Sequence, residues 1–222
     1  MQVIQMGSIA VLLKWLLLGA ALFIGLAILK LWLRRTQEKI LHKQVIDLFF
    51  NSLFFGFICW KGSLFIIDPV LVIKSPLSLL YFTGGTTGLV LAVVGSIIFY
   101  FFKANKSNIT DRLILQSGFL YSFAVIGVYH LLATLLLEEQ KLNHIISGLY
   151  TFAIVIFAFW KHQMVTQQRI FSSLILFSFL SLSLSFIQLS VERKIWLFSA
   201  QQWFFVVLII VSLIFWDKKS KS

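Results

Sequence analysis

Acidic residues are scarce in this chain: eight Asp and Glu stand against nineteen Lys and Arg, and charged residues together reach only 12%. An ordinary soluble domain carries about twice that charged share. With 59% apolar residues and a mean hydropathy of +0.95, too little polar surface is left to face water all round. Proline is nearly absent as well, and Pro69 and Pro76 both fall between apolar runs, so no long helix has to be broken. The single cysteine, Cys59, excludes an internal disulfide and a CxxC redox pair, and its place inside an apolar run is that of a packing residue. No repeat relates the two halves. Neither a cofactor nor a metal is expected.

What is present is a series of apolar runs, each near the roughly 20 residues that a helix needs to cross about 30 Å of hydrocarbon. Seven can be delimited: Trp15 to Leu33, Val45 to Ile67, Leu77 to Phe102, Leu113 to Leu137, Ile145 to Trp160, Ile170 to Leu189, and Trp196 to Trp216. The expected fold is therefore all-α, a polytopic integral membrane protein of about seven transmembrane helices forming one domain over residues 1–222. The first run has most of its basic residues behind it and no small-residue cleavage motif after it, so it is expected to stay as a span.

Basic residues set the orientation, because short cytoplasmic loops retain Lys and Arg. One set of loops holds Arg34, Arg35, Lys39, Lys43, Lys103, Lys106, Arg112, Lys161, Arg169, Lys218, Lys219 and Lys221. The other holds Lys14, Lys74, Lys141, Arg193 and Lys194 beside Asp68, Glu138, Glu139 and Glu192. The richer set belongs inside, giving an outer N-terminus and a cytoplasmic C-terminus. The net charge of +11 is then accounted for by topology signals and contacts to anionic lipid, with no nucleic-acid partner.

Polar groups inside the runs indicate where chemistry could sit. At 1.5 Å per residue, Gly84 and Gly85 lie about 12 Å below the outer start of the third run, and His130 about 10 Å from the outer end of the fourth. Tyr150 and the pair Gln201–Gln202 each lie about 8 Å into their runs, and Lys61 is near the outer end of the second. Such groups face a bundle interior or a wet cavity, which implies a polar pocket open to the outer leaflet. Each also has a plain structural reading. Lys61 can snorkel or pair with Asp68, the glycines can permit close helix approach, His130 can be a hydrogen-bonded packing residue, and Tyr150 can belong to an aromatic belt.

Several segments resemble bacterial prolipoprotein diacylglyceryl transferase, which moves a diacylglyceryl group from phosphatidylglycerol to a lipoprotein cysteine. The stretch HKQVIDLFFNSLFFGFICWKGSLFI is similar to the family's Asp-Leu start and Gly-Ala-Arg region, with Lys61 near the arginine. SPLSLLYFTGGTTGLVLAVVGS resembles its Asn-Pro-Leu-Glu opening and Gly-Gly pair. HIISGLY, with Tyr150, is similar to His-Pro-Thr-Gln-Leu-Tyr, and FSAQQW to the Gly-Gln segment opening the last helix. The family's His after the Gly-Gly pair is replaced by Thr86, Thr87 and Gly88. Its Gly-Arg-Ile-Gly-Asn-Phe signature falls on FAVIGVYHLLA, where Gly127 survives without the arginine and asparagine, and its late Arg and Glu fall on SFIQLS.

The resemblance thus implies a bacterial plasma-membrane protein whose partners are a phospholipid, phosphatidylglycerol first, and a lipoprotein precursor. Two readings stay open. In one, the chain is a catalytically degraded relative holding phospholipid or lipidated peptide through Lys61, Gly84, Gly85, Tyr150 and Gln201. In the other, it is an active transferase with a rebuilt site, in which Lys61 contacts the phosphate and His130 or His144 serves as base. A small transporter is the third alternative, less suited to a chain lacking broken helices and inverted repeats.

Overall fold

The computed structural model describes residues 3–6, 9–36, 39–75, 78, 84–107, 109–137, 140–160, 166–187, 194–195 and 198–220. In chain order the elements are strands β1 (Val3–Met6) and β2 (Ile9–Leu12), then helices α1 (Leu13–Thr36), α2 (Lys39–Gly62), α3 (Leu64–Ile67), α4 (Pro69–Lys74), α5 (Gly85–Ala104), α6 (Asp111–Leu136), α7 (Lys141–Trp160) and α8 (Gln167–Ile187). Strands β3 (Lys194–Ile195) and β4 (Phe198–Ser199) lead into α9 (Ala200–Ser220). The architecture is all-helical apart from two antiparallel hairpins, β1–β2 and β3–β4. The first pairs Val3 with Leu12 and Met6 with Ile9, in a stretch that carried no expectation from the sequence.

Six of the helices are long and apolar enough to cross a membrane: Leu13–Arg35, Lys39–Ile67, Gly85–Ala104, Asp111–Leu136, Lys141–Trp160 and Gln167–Phe186. The chain is a multi-pass membrane protein. Its surface is the reverse of a soluble one. Ile73, Leu135 and Trp160 are each about four-fifths exposed, while Ser117, Thr151 and Ser178 are fully buried. Large apolar side chains that would be hidden from water are free to face lipid, and small residues occupy the helix contacts. The buried hydroxyls return to their own helices: Ser52 donates to the Leu48 carbonyl at 2.7 Å, Thr151 to Ser147 at 2.7 Å and Ser178 to Leu174 at 2.8 Å. A polar group in hydrocarbon is thereby satisfied without a partner on another helix.

The chain divides into two compact units. The first comprises residues 1–16 and 30–114, and the second residues 17–29 and 115–222. In the first, α2 and α5 form the most extensive helix contact. Their facing stripes are small, Ser52, Gly56 and Cys59 against Gly88, Ala92, Gly95 and Ser96, at the spacings that repeat on one helix face. A Cβ on Gly56 would run into the Ser96 hydroxyl and lie 3.1 Å from the Ala92 carbonyl oxygen. Cys59 Sγ packs over Gly95 in the same seam. Toward the other end, Phe55 stacks on Phe99 and Phe49 packs tilted against Tyr100, each with centroids 4.8 Å apart. The Tyr100 hydroxyl donates to the Ile114 carbonyl at 2.9 Å.

In the second unit the main contact is between α8 and α9. Aromatic rings dominate it: Phe171 stacks on Phe215 at 5.8 Å, and Phe177 meets Phe205, Phe123 and Tyr150 at 6.2, 5.3 and 6.3 Å. These rings supply the dispersion contacts that hold helices together where no hydrophobic driving force exists.

Several expected boundaries shift. The stretch Asp68 to Pro76, expected as a loop, contains α4, which the Asp68 carboxylate caps by accepting from the Leu71 N–H at 3.0 Å. Pro69 occupies the first helical position, where it loses no hydrogen bond. In the third run, expected to be helical from Leu77, Ser78 is helical and α5 starts at Gly85; residues 76–77 and 79–83 are outside the described residues. The seventh run, expected from Trp196, becomes α9 at Ala200. Its apolar part, Gln201–Trp216, is shorter than that of the six long helices, and Lys161, His162, Glu138, Glu139, Glu192, Arg193 and Trp196 lie outside the described residues.

The Gly56 contact yields a stability prediction. Gly56→Leu, which must force α2 and α5 apart, is expected to destabilise the protein by about 1–3 kcal/mol. Gly19→Leu, at a helical glycine with nothing within 4 Å of its Cβ direction, is expected to leave it unchanged. Thermal unfolding in detergent micelles measures both.

Candidate functional site

The residues singled out from the sequence fall into two groups, one in each unit: Lys61, Gly84 and Gly85 in the first, and His130, His144, Tyr150 and Gln201 in the second.

In the first unit, the end of α2 meets the start of α5. Gly84 and Gly85 have φ of 66° and 57°, both in the left-handed region, where a side chain is disfavoured. Two such residues in succession cannot continue a right-handed helix, so the pair forms the entry to α5 rather than a point inside a span. Gly84 is also the seat of the Trp60 indole. A Cβ there would coincide with the edge of that ring, and one on Gly88 would come 3.0 Å from its Cδ1. The Ser63 hydroxyl locks the end of α2 by donating to the Trp60 carbonyl at 2.7 Å.

Trp60 is the residue that the sequence reading missed. Its Nε1 is buried, and so is that of Trp15, whose ring lies 5.8 Å from Trp60; neither N–H has a partner among the described residues. Indole N–H groups usually find an acceptor when buried, since an unmade bond costs about 1–3 kcal/mol. Two cations stand over the same rings, Lys61 Nζ 5.4 Å from the Trp60 centroid and Lys14 Nζ 5.4 Å from that of Trp15. The site is a half-buried cluster of indole donors and ammonium groups beside a glycine turn. Its electrostatics suit an anion with several oxygen acceptors. The signal in the sequence was the pairing of each Lys with an adjacent Trp, Lys14–Trp15 and Trp60–Lys61, which also fits an interfacial belt.

In the second unit, His130 of α6 and His144 of α7 come together, Nδ1 to Nδ1 at 2.8 Å. The turn that reverses the chain between them passes through Gln140, a non-glycine with φ of 56°, and the His144 N–H bonds the Gln140 carbonyl at 3.2 Å. Gly148 lies under His130, a Cβ there being 3.5 Å from the His130 Cβ, so the two helices approach closely. The Tyr129 ring lies edge-on to both imidazoles, at 5.7 and 6.3 Å. One ring must donate from Nδ1 and the other accept, so at least one imidazole of the pair is neutral. The pair can hold and pass a single proton. Among the described residues no third His, Cys, Asp or Glu joins it to form a metal-binding group.

Tyr150 points along the aromatic core of its unit, its hydroxyl donating to the Ser173 carbonyl at 3.5 Å and its ring stacked on Phe177. With α7 starting at Lys141 instead of Ile145, it sits about 14 Å into its helix rather than about 8 Å. Gln201 is exposed in the first turn of α9. Its neighbour Gln202 is buried and makes a reciprocal cap with Ser199: the Ser199 N–H donates to Gln202 Oε1 at 2.8 Å, and the Gln202 N–H to Ser199 Oγ at 3.2 Å. This capping box satisfies two helix-end donors and explains why α9 begins four residues later than its apolar run.

Two outcomes follow. In a double-mutant cycle between His130→Ala and His144→Ala, a coupling of about 1 kcal/mol is expected in thermal unfolding at neutral pH, with Tyr129→Ala less coupled to either. Gln202→Ala should cost about 0.5–2 kcal/mol through loss of the cap, while Gln201→Ala is expected to be neutral in the same measurement.

No protein-family model, no curated protein and no solved structure matches the chain.

Proposed function

We propose that this protein binds the headgroup of a phospholipid, phosphatidylglycerol first, at the Trp60–Lys61–Gly84 cluster, as a diverged relative of the prolipoprotein diacylglyceryl transferases. One observation carries the reading: two buried indole N–H groups without acceptors among the described residues, next to two ammonium groups and a left-handed glycine pair. A phosphodiester offers the oxygens that such donors lack, and glycerol hydroxyls offer more. The proposal includes a seventh span, α9, whose 21 residues measure about 32 Å. It also includes an outer N-terminus and a cytoplasmic C-terminus in a bacterial plasma membrane. The cluster then lies in the outer leaflet, where the α2 and α5 ends carry fewer basic residues than their opposite ends. The segments similar to the transferase family support the lipid class, and the missing arginine, asparagine and histidine positions favour binding without reaction.

A second reading rests on the His130–His144 contact. In a transferase, the thiol of a lipoprotein cysteine would form a bond to the glyceryl carbon of phosphatidylglycerol while the C–O bond to phosphate breaks. Glycerol phosphate would leave with the electron pair, and the thiol proton would pass to the neutral imidazole of the pair.

Reconstitution separates the two. Purified protein with phosphatidylglycerol is expected to retain that lipid over phosphatidylcholine in native mass spectrometry. Trp60→Phe, which keeps the ring and deletes the N–H, is expected to weaken retention about fivefold. Equal retention of both lipids, or no effect of Trp60→Phe and Lys61→Ala, would sink the binding proposal. With a lipobox peptide added, no thioether product is expected; product that disappears in His130→Ala would establish the transferase instead.

A further inference from the structure

A second charged cluster lies at the other end of the same two helices, and the lipid reading above does not use it. The last turns of α1 and the first turns of α2 enclose an open-sided cleft of about 800 Å³ lined by Lys30, Arg34, Lys39, His42, Lys43 and Asp47. The register is specific. Lys30 and Arg34 are one turn apart on α1, and Lys39, His42, Lys43 and Asp47 fall at three- and four-residue spacings on α2, so each helix aims a single stripe into the cleft.

Four cations thus face one another across the cleft with one carboxylate among them. Glu38, in the link between the helices, lies outside the described residues. Confronting like charges is unfavourable, and it is relieved when an anion sits between them. A diffuse topology signal needs basic residues near a helix end, and it does not need them turned toward a shared cavity. The second observation is His42. It is half-buried, and its Nε2 is buried without a partner among the described residues, while the cations around it are exposed. An acceptor in the cleft would complete it, in company with the planar donor fork of Arg34.

We infer that this cleft is a binding site for a phosphate group, carried by an anionic phospholipid headgroup or by a soluble phosphate compound. The dianionic or monoanionic oxygens accept from Arg34, Lys39, Lys43 and His42, with Lys30 reaching up from one turn deeper. The site is distinct from the Trp60 cluster, since α1 alone separates Trp15 from Arg34 by about 28 Å.

The experiment uses the full chain in nanodiscs of phosphatidylcholine holding a minor fraction of photoactivatable phosphatidylglycerol, with photoactivatable phosphatidylcholine as reference and adducts located by peptide mass. Adducts on segment 30–47 are expected to favour phosphatidylglycerol. Arg34→Gln with Lys43→Gln should lower them about tenfold or more, given roughly fivefold per cation at a membrane surface. Lys103→Gln with Lys106→Gln, a pair of surface cations on α5 and the turn after it, should leave them unchanged. Adducts on segment 60–88 report separately on the Trp60 cluster, so loss of one site is read apart from loss of the other. If the cleft takes soluble phosphate, the adducts show no headgroup preference, and inorganic phosphate instead protects Lys39 and Lys43 from amine acylation in the wild type but not in Arg34→Gln. No preference together with no protection overturns the inference, as does an equal loss of adducts in the two double variants.

Discussion

Everything in this chain follows from the need to satisfy polar groups without water. In hydrocarbon a backbone or side-chain donor that lacks an acceptor has no solvent to fall back on. The helices meet that need for the backbone, and Ser52, Thr151 and Ser178 meet it for themselves by bonding the carbonyl one turn earlier. The same constraint makes the exceptions informative. Among the described residues four buried polar atoms lack partners, Ser78 Oγ and one nitrogen each of Trp15, Trp60 and His42, and the three nitrogen atoms stand beside cations at helix ends. For those three nitrogen atoms, each next to a cation, the proposed anions supply an external acceptor.

Packing obeys a second rule derived from the first. Lipid competes equally well for large apolar side chains, so helices gain little by burying Leu and Phe against each other and more by approaching closely. Gly56 against Ser96 and Ala92, and Cys59 against Gly95, show this in the α2–α5 seam. The α8–α9 pair solves the same problem with aromatic rings instead, Phe171 stacked on Phe215 and Phe177 edge-on to Phe205.

The helical class and six of the spans were legible because an apolar run near membrane length suits a membrane-crossing helix and little else. Helix ends were not, and the reasons are local. Nothing in the apolar composition marks Gly84 and Gly85 as a break, yet both adopt positive φ and α5 starts there. Apolar residues likewise precede Ser199, but the Ser199–Gln202 cap decides where α9 begins. Both signals, the Gly-Gly pair and the Ser-x-x-Gln box, stand in the sequence, but the depth of Gly84, Gly85, Gln201 and Gln202 in their apolar runs points to a pocket instead. Asp68–Pro69, in a stretch whose polar and proline content suggests a loop, likewise spells a cap and a first-turn proline. Of the site, Lys61, the glycines and both histidines were visible as residue types out of place in a span. Their partners were not, because the seat of Trp60 on Gly84 and the meeting of His130 with His144 depend on how neighbouring helices pair.

Helix α1 carries Lys14 at one end and Lys30 with Arg34 at the other, joined by one uninterrupted helical rod. Lys14 and Arg34 are separated along it by about 30 Å, close to the thickness of a typical hydrocarbon core. A rod pinned by charge at both ends behaves as a gauge of its surroundings. In a thinner bilayer it has to tilt or draw Lys30 into service as the anchor in place of Arg34, and in a thicker one its ends must pull the leaflets inward. Membrane thickness is thereby written into the geometry of the chain as a mechanical variable, independent of which molecule occupies either end.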